Sequence, residues 1–261
     1  MPAQTRARLP LPGRGATYVY DVYGPEGGTP MVLLHELGGT AKRWRSVARG
    51  LSEEHRTYAF DLRGHGETDW ASEYSFRLIA DDIIVAMDEL GLSGAVLVGH
   101  SAGSNVALLV AMHRPDLVSG LVIEDGAPPS SRDRRRPGRL AKPVAHDWEC
   151  VATLMVEATV RDEWMWEQLA LLPMPVLIIA GGGNSHISRA ELEEVARLIP
   201  HSDLVGFDVG HFVHRNQPDE FATTVLSWLA SRVGSPSLRT PPALAGRNCS
   251  DSVSAASRAA R

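Results

Sequence analysis

The stretch Val96-Leu97-Val98-Gly99-His100-Ser101-Ala102-Gly103 decides how the rest of the chain is read. An apolar run of strand length enters G-x-S-x-G and continues into the helical segment Ser104 to Met112. A strand that turns this sharply into a helix forces the serine into a strained conformation with its hydroxyl exposed. Glycines on both sides relieve the clashes such a turn creates. The turn also puts Ser101 at a helix N-terminus, where the backbone N–H of Ala102 and the positive end of the helix dipole favour a developing oxyanion. Ser101 is the candidate nucleophile, with Ala102 as an oxyanion donor.

Outward from this turn, apolar runs of strand length alternate with longer segments of helical period. That pattern predicts an α/β protein with a mostly parallel sheet and helices on both faces. Predicted strands are Thr17 to Tyr23, Met31 to His35, Thr57 to Asp61, Ala95 to Gly99, Gly120 to Glu124, Val176 to Ala180 and Asp203 to Phe207. Met31–Leu34, Ala95–Val98, Leu121–Ile123 and Val176–Ile179 are unbroken apolar runs, which implies burial on both faces. Between Glu73 and Leu92, Phe76, Ile79 or Ala80, Ile83, Met87 and Leu90 recur at spacings of three and four, the period of an amphipathic helix. The alternation stops from about 127 to 173, where PPSSRDRRRPGRLAKP precedes a helical segment with Trp148, Met155, Trp164, Met165 and Trp166. This insertion reads as a short lid. One domain with this insertion is expected to span 1–233, and 234–261, poor in large apolar residues, to be a disordered tail.

Composition narrows the classes. The 261 residues are 44% hydrophobic and 22% charged, enough to bury one sizeable core. A formal charge of -5 provides no global basic field, so neither nucleic acid nor an anionic membrane is an expected partner. No apolar run approaches the roughly 18 to 20 residues of a membrane helix, and the start MPAQTRARLPLPGRG has no apolar leader core. Cys150 and Cys249 lack redox or metal spacing, which fits a reducing, cytoplasmic location.

Four segments in order resemble the α/β-hydrolase fold family over about residues 15 to 232. They are Leu33-Leu34-His35-Glu36-Leu37-Gly38-Gly39-Thr40, Asp61-Leu62-Arg63-Gly64-His65-Gly66, the Ser101 turn, and Val209-Gly210-His211-Phe212-Val213-His214. The resemblance implies that the loop after the early strand supplies a second oxyanion N–H, by position that of Leu37. Most relatives read His-Gly there, whereas this chain has His35-Glu36. A zinc H-E-x-x-H is excluded because Gly39 stands where the second histidine belongs. No metal or other cofactor is expected.

A serine hydroxyl needs a base oriented by a carboxylate. His211 follows the last predicted strand in the family's order of serine first and histidine last; His214 is its rival. Most relatives place an aspartate after the strand equivalent to Val176–Ala180, but here that loop is Gly181-Gly182-Gly183-Asn184-Ser185-His186, without an acid. Some members take the carboxylate from the end of the preceding strand, which points to Asp125, with Glu124 as its neighbour; Asn184 as a neutral orienter or no carboxylate at all are the rivals. Trp148, Trp164 and Trp166 are candidates either for an acyl-pocket wall or for ordinary packing. The basic run Arg132 to Arg139 reads as a solvated loop before an acidic-substrate site.

The reading is a serine hydrolase acting on a small-molecule carboxylic ester, thioester or lactone. A same-triad acyltransferase, C–C bond hydrolase, perhydrolase or cyclase is the first alternative, since the triad does not choose the acceptor. A small-molecule binding protein on a hydrolase scaffold is the second. Oligomeric state is not legible.

Overall fold

A computed structural model describes residues 4–131 and 144–233. The basic run Arg132 to Arg139 and the expected tail beyond 233 lie outside the described residues. In chain order the strands are β1 (Thr5–Leu11), β2 (Ala16–Tyr23), β3 (Thr29–Leu34), β4 (His55–Asp61), β5 (Ala95–His100), β6 (Val118–Glu124), β7 (Val176–Ala180) and β8 (Ser202–Gly206). The helices are α1 (Arg45–Leu51), α2 (Phe76–Glu89), α3 (Ala102–His113), α4 (Trp148–Glu157), α5 (Glu163–Gln168), α6 (Arg189–Leu198), α7 (Val213–Asn216) and α8 (Pro218–Arg232).

The strands form one sheet in the order β1-β2-β4-β3-β5-β6-β7-β8. β1 and β2 run antiparallel to their neighbours and the rest are parallel. All seven predicted strands occur, each within two residues of the predicted ends. β1 is the addition. Its Pro10 and its Arg6 and Arg8 hide it in the sequence, yet it survives as an edge strand because Arg6 reaches across to Asp21 at 2.9 Å and Asp61 at 2.5 Å.

The apolar strands are buried on both faces. Val32, Leu34, Leu97, Leu121 and Ile178 face one core with residues of α2, α3 and α6. Met31, Leu33, Val98, Val122 and Ile179 face the other with residues of α1, α7 and α8. α2 stops three residues short of its prediction at each end. At its start the Ser75 side chain accepts the Leu78 N–H at 3.0 Å. At its end Gly91, at φ 65°, donates to Asp88 O and Leu92 donates to Met87 O, the reversal that closes a helix and needs a glycine.

β5 pairs with β3 so that Gly99 lies beside Leu34, and α3 starts directly over that junction. A Cβ on Gly103 would stand 2.2 Å from the Leu34 carbonyl oxygen, and one on Gly99 would stand 2.4 Å from the Gly103 oxygen. Both obstacles are backbone and neither can swing aside. The glycines of G-x-S-x-G are therefore required by close approach. Gly103→Ala is expected to lower stability by at least about 1–3 kcal/mol, the usual range for overpacking, read as a lower urea midpoint with unchanged m-value. An unchanged midpoint would show that α3 can move away from β3 at no cost.

Candidate functional site

Ser101 caps α3 with φ 53° and ψ -113°. It and Asp125, at φ 46°, are the non-glycine residues with positive φ among those described. Such strain persists where surrounding contacts over-determine the backbone. Ser101 N–H donates to Glu124 O at 2.9 Å, Ser104 Oγ donates to Gly99 O at 2.8 Å, and Asp125 N–H donates to Ile179 O at 2.7 Å. The two strained residues thus stand at the ends of adjacent strands, where His100 of β5 pairs with Glu124 of β6.

Asp125 meets His211. Its Oδ2 lies 2.7 Å from His211 Nδ1, so Nδ1 carries the proton and Nε2 keeps its lone pair. Asp125 Oδ1 accepts the Gly181 N–H at 2.8 Å, and Oδ2 also accepts the Ser185 hydroxyl. Burial opposes the charged carboxylate, yet His211, Ser185 and the Gly181 N–H outweigh it and hold the Asp125 pKa below the ordinary aspartate value. The loop that lacks an acid therefore serves the acid of the neighbouring strand. Asn184 contributes its position beside Gly210.

Glu124 points the other way along the pleat. Both of its oxygens reach His214 Nδ1, at 2.9 and 2.8 Å, and Oε1 also accepts the His214 N–H. Burial would raise the Glu124 pKa, but His214 and His100 lower it. His214, on α7, stacks on Trp44 with ring centroids 4.4 Å apart. His214 is thus held away from Asp125 by a carboxylate of its own.

Glu36, the departure in the early loop, is buried. Its Oε2 faces His100 Nδ1 at 3.4 Å and its Oε1 faces Arg43 Nε at 3.3 Å. His100 Nε2 donates to the His211 carbonyl at 2.8 Å. Burial disfavours the His100 cation, but Glu124, Glu36 and the His211 carbonyl outweigh it and raise its pKa. His100 thus faces the Glu36 carboxylate with Nδ1 and supports the His211 backbone with Nε2. Glu36, His100 and His214 also bring one ligand-type atom each within 4.8 Å of one another, the grouping among the described residues that could hold a metal ion. Arg43 already neutralises part of that cluster.

Ser101 opens into a cavity that Leu37 and Ala102 also line, with Phe76, Met155 and Ile187 among its apolar walls. The Gly38 N–H beside Leu37 donates to His65 Nε2 at 3.0 Å, pinning the loop. Burial pushes the His65 pKa down to about 3, so its ring is a neutral acceptor there. Met155 and Ala158 come from the insertion, which therefore covers the site. The three tryptophans take no part in the walls. Trp166 is buried, donates from Nε1 to Pro129 O at 2.9 Å and carries the Arg161 guanidinium over its ring. Trp164 lies under Arg77 and beside His113, and Trp148 opens α4 half-buried. The acyl-wall alternative is corrected accordingly: none of the three rings lines the cavity, and Trp164 and Trp166 are taken up in packing.

Sequence reasoning missed Ser185, His186, Asn105 and Phe76. His186 lines the cavity, and its ring centroid is 3.8 Å from that of His211. Ser185 and His186 sit in the loop where relatives carry the acid, the one signal that could have found them. Asn105 lies on α3 one turn after Ser101, a polar side chain in an otherwise small and apolar helix.

A sequence model described as the alpha/beta hydrolase fold matches residues 29–145, which include the Ser101 turn and Asp125 but stop short of His211. The sn-1-specific diacylglycerol lipase ABHD11 of Mus musculus is 26% identical over 77% of this chain and 80% of its own length. The magnesium-chelatase 30 kDa subunit of Rhodobacter capsulatus is 27% identical over 79% and 88%. Among solved structures, a thermophilic esterase from Thermogutta terrifontis superposes with a TM-score of 0.76 at 24% identity, covering 87% of this chain and 98% of that one. The sequence match over residues 29–145 and the shared topology give this chain an alpha/beta hydrolase fold.

Proposed function

We propose that this chain is a serine hydrolase that cleaves a carboxylic ester, thioester or lactone. The observation that carries the reading is the 2.7 Å contact between Asp125 and His211, which leaves His211 Nε2 unprotonated and able to act as a base, beside the strained backbone of Ser101 at the head of α3. The relative named as a diacylglycerol lipase and the esterase-like fold support ester chemistry.

Ser101 Oγ attacks the substrate carbonyl while His211 Nε2 takes its proton. The negative charge that develops on the carbonyl oxygen is stabilised by the N–H groups of Leu37 and Ala102, the second reinforced by the α3 dipole. Asp125 stays ionised, holds the imidazole in the Nδ1–H tautomer and stabilises the imidazolium. The tetrahedral intermediate collapses, the leaving alcohol or thiol receives the proton from His211, and the acyl group remains on Ser101. Water, deprotonated by the same histidine, then releases the acid. No cofactor enters this sequence. Acyl transfer to an alcohol or thiol would follow the same steps with another acceptor. The buried free thiol of Cys150 is consistent with the proposed cytoplasmic location. No helix among the described residues is long and apolar enough to cross a membrane.

The departures at Glu36 and Asn184 favour a second reading, a small-molecule binding protein with an unreactive Ser101. Intact-mass analysis after a fluorophosphonate probe separates the two. One adduct on the parent protein and none on Ser101→Ala is expected of the hydrolase, whereas a folded parent that takes no adduct identifies the binding protein. Asp125→Asn should lower kcat by about 10⁴-fold, the usual effect of a neutral orienter. Ser185→Ala removes one hydrogen bond to that carboxylate and should cost only about 10- to 100-fold. A ranking in which Ser185→Ala is the more damaging would assign the orienting role to the later loop.

A further inference from the structure

Asn105 and His186 are polar groups lining the reaction cavity that the proposed mechanism does not use, and Asn105 is the one with a buried, unpartnered polar atom. It stands one helical turn beyond Ser101, about 5.4 Å along the α3 axis, lines the same cavity and is only 5% exposed. Its amide oxygen is buried and has no hydrogen-bond partner among the described residues. Its neighbours on α3 are small or apolar, Leu37, Phe76, Met155 and Ile187 around the cavity carry no polar side chain, and its amide oxygen bonds neither Ser101 nor His186, which also line it.

Asparagine is a poor choice in a helix interior, because its amide competes for backbone groups, and an unpaired buried amide is unfavourable as well. Alanine or leucine would satisfy both the helix and the cavity. A side chain that both local rules disfavour, lining the cavity onto which Ser101 opens, marks a functional requirement. A primary amide offers an acceptor and two donors, and turning it about its last torsion exchanges them. It is therefore complementary to a group that can present either role, such as a hydroxyl or an amide.

Resting on the hydrolase reading, we propose that Asn105 is a specificity-determining residue and that the natural substrate is an ester, thioester or lactone bearing a hydroxyl or amide within a few bonds of the scissile carbonyl. A site built to pair a polar group discriminates strongly against a substrate that lacks it, because the site's own amide is then left unsatisfied. Plain hydrocarbon acyl chains are the disfavoured class.

The test compares two p-nitrophenyl esters of similar length, N-acetylglycine and pentanoate, on the full chain and on Asn105→Leu, with Asn105→Ser as a second variant that alters volume differently. The parent is expected to favour the amide-bearing ester in kcat/KM. Asn105→Leu, close in shape and apolar, should lower kcat/KM for the amide-bearing ester by about 10- to 100-fold and raise it for the pentanoate ester, a crossover that misfolding cannot imitate. Asn105→Ser should lower the amide-bearing ester selectively. Equal changes for both esters in both variants would overturn the role of Asn105. So would an unchanged ratio in variants that still react with fluorophosphonate. A parent that neither reacts with the probe nor turns over either ester overturns the hydrolase reading, and the substrate class with it.

Discussion

The site depends on one close approach, that of the first turn of α3 to the end of β3, where a single Cβ on Gly103 would strike the Leu34 carbonyl. With no side chain between them, the helix N-terminus and the early loop share one small space. Ala102 and Leu37, the proposed oxyanion donors, both line that space. The same crowding forces Ser101 to positive φ, and the hydrogen bond from its N–H to Glu124 O ties that strain to the next strand. Backbone sterics at β3, β5 and α3 thus come before any side-chain chemistry.

Behind this junction lie two Glu–His pairs with nearly no exposure. Glu124 holds His214, and Glu36 with Arg43 holds His100, whose other nitrogen supports the His211 carbonyl. Together they join the early loop, the serine turn, the acid turn and the histidine loop. A buried carboxylate is tolerated only when paired and hydrogen-bonded, and here each carboxylate has a cationic or donating partner from a different loop. The arrangement also sorts the histidines. Glu124 occupies His214 and His100 is spoken for by Glu36, so Asp125 is left with His211 alone.

The insertion contributes walls rather than chemistry. Met155 and Ala158 close over the cavity, while Trp164 and Trp166 spend their faces on arginines and their edges on the protein body. Asn105 stands out in this mostly apolar enclosure because its amide oxygen has no partner among the described residues. Where hydrophobic walls exclude water, one unpaired amide weighs heavily in what can bind.

How much of this was legible in the sequence follows from the range of the interactions. The Ser101 turn, the doubly buried strands and the amphipathic α2 are written in neighbouring residues: glycine spacing, unbroken apolar runs and a three-to-four period are local responses to backbone sterics and burial. The order of serine and histidine and the candidate Asp125 were legible too, because strand ends are readable and β6 lies beside β5. What the tertiary structure alone decided are the pairings across strands and loops. Arg6 makes an edge strand of β1 only once Asp21 and Asp61 stand opposite, Ser185 serves Asp125 only because its loop lies over β6, and Glu124 meets His214 only through the alternation of the pleat. The tryptophans looked like pocket walls because aromaticity is visible in a sequence, but the direction a ring faces is set by the Arg161, Arg77 and Pro129 groups that packing brings to it. A sequence determines which residues can do chemistry or be buried; the partner each one meets is a matter of distance in space, which residue spacing along the chain does not encode.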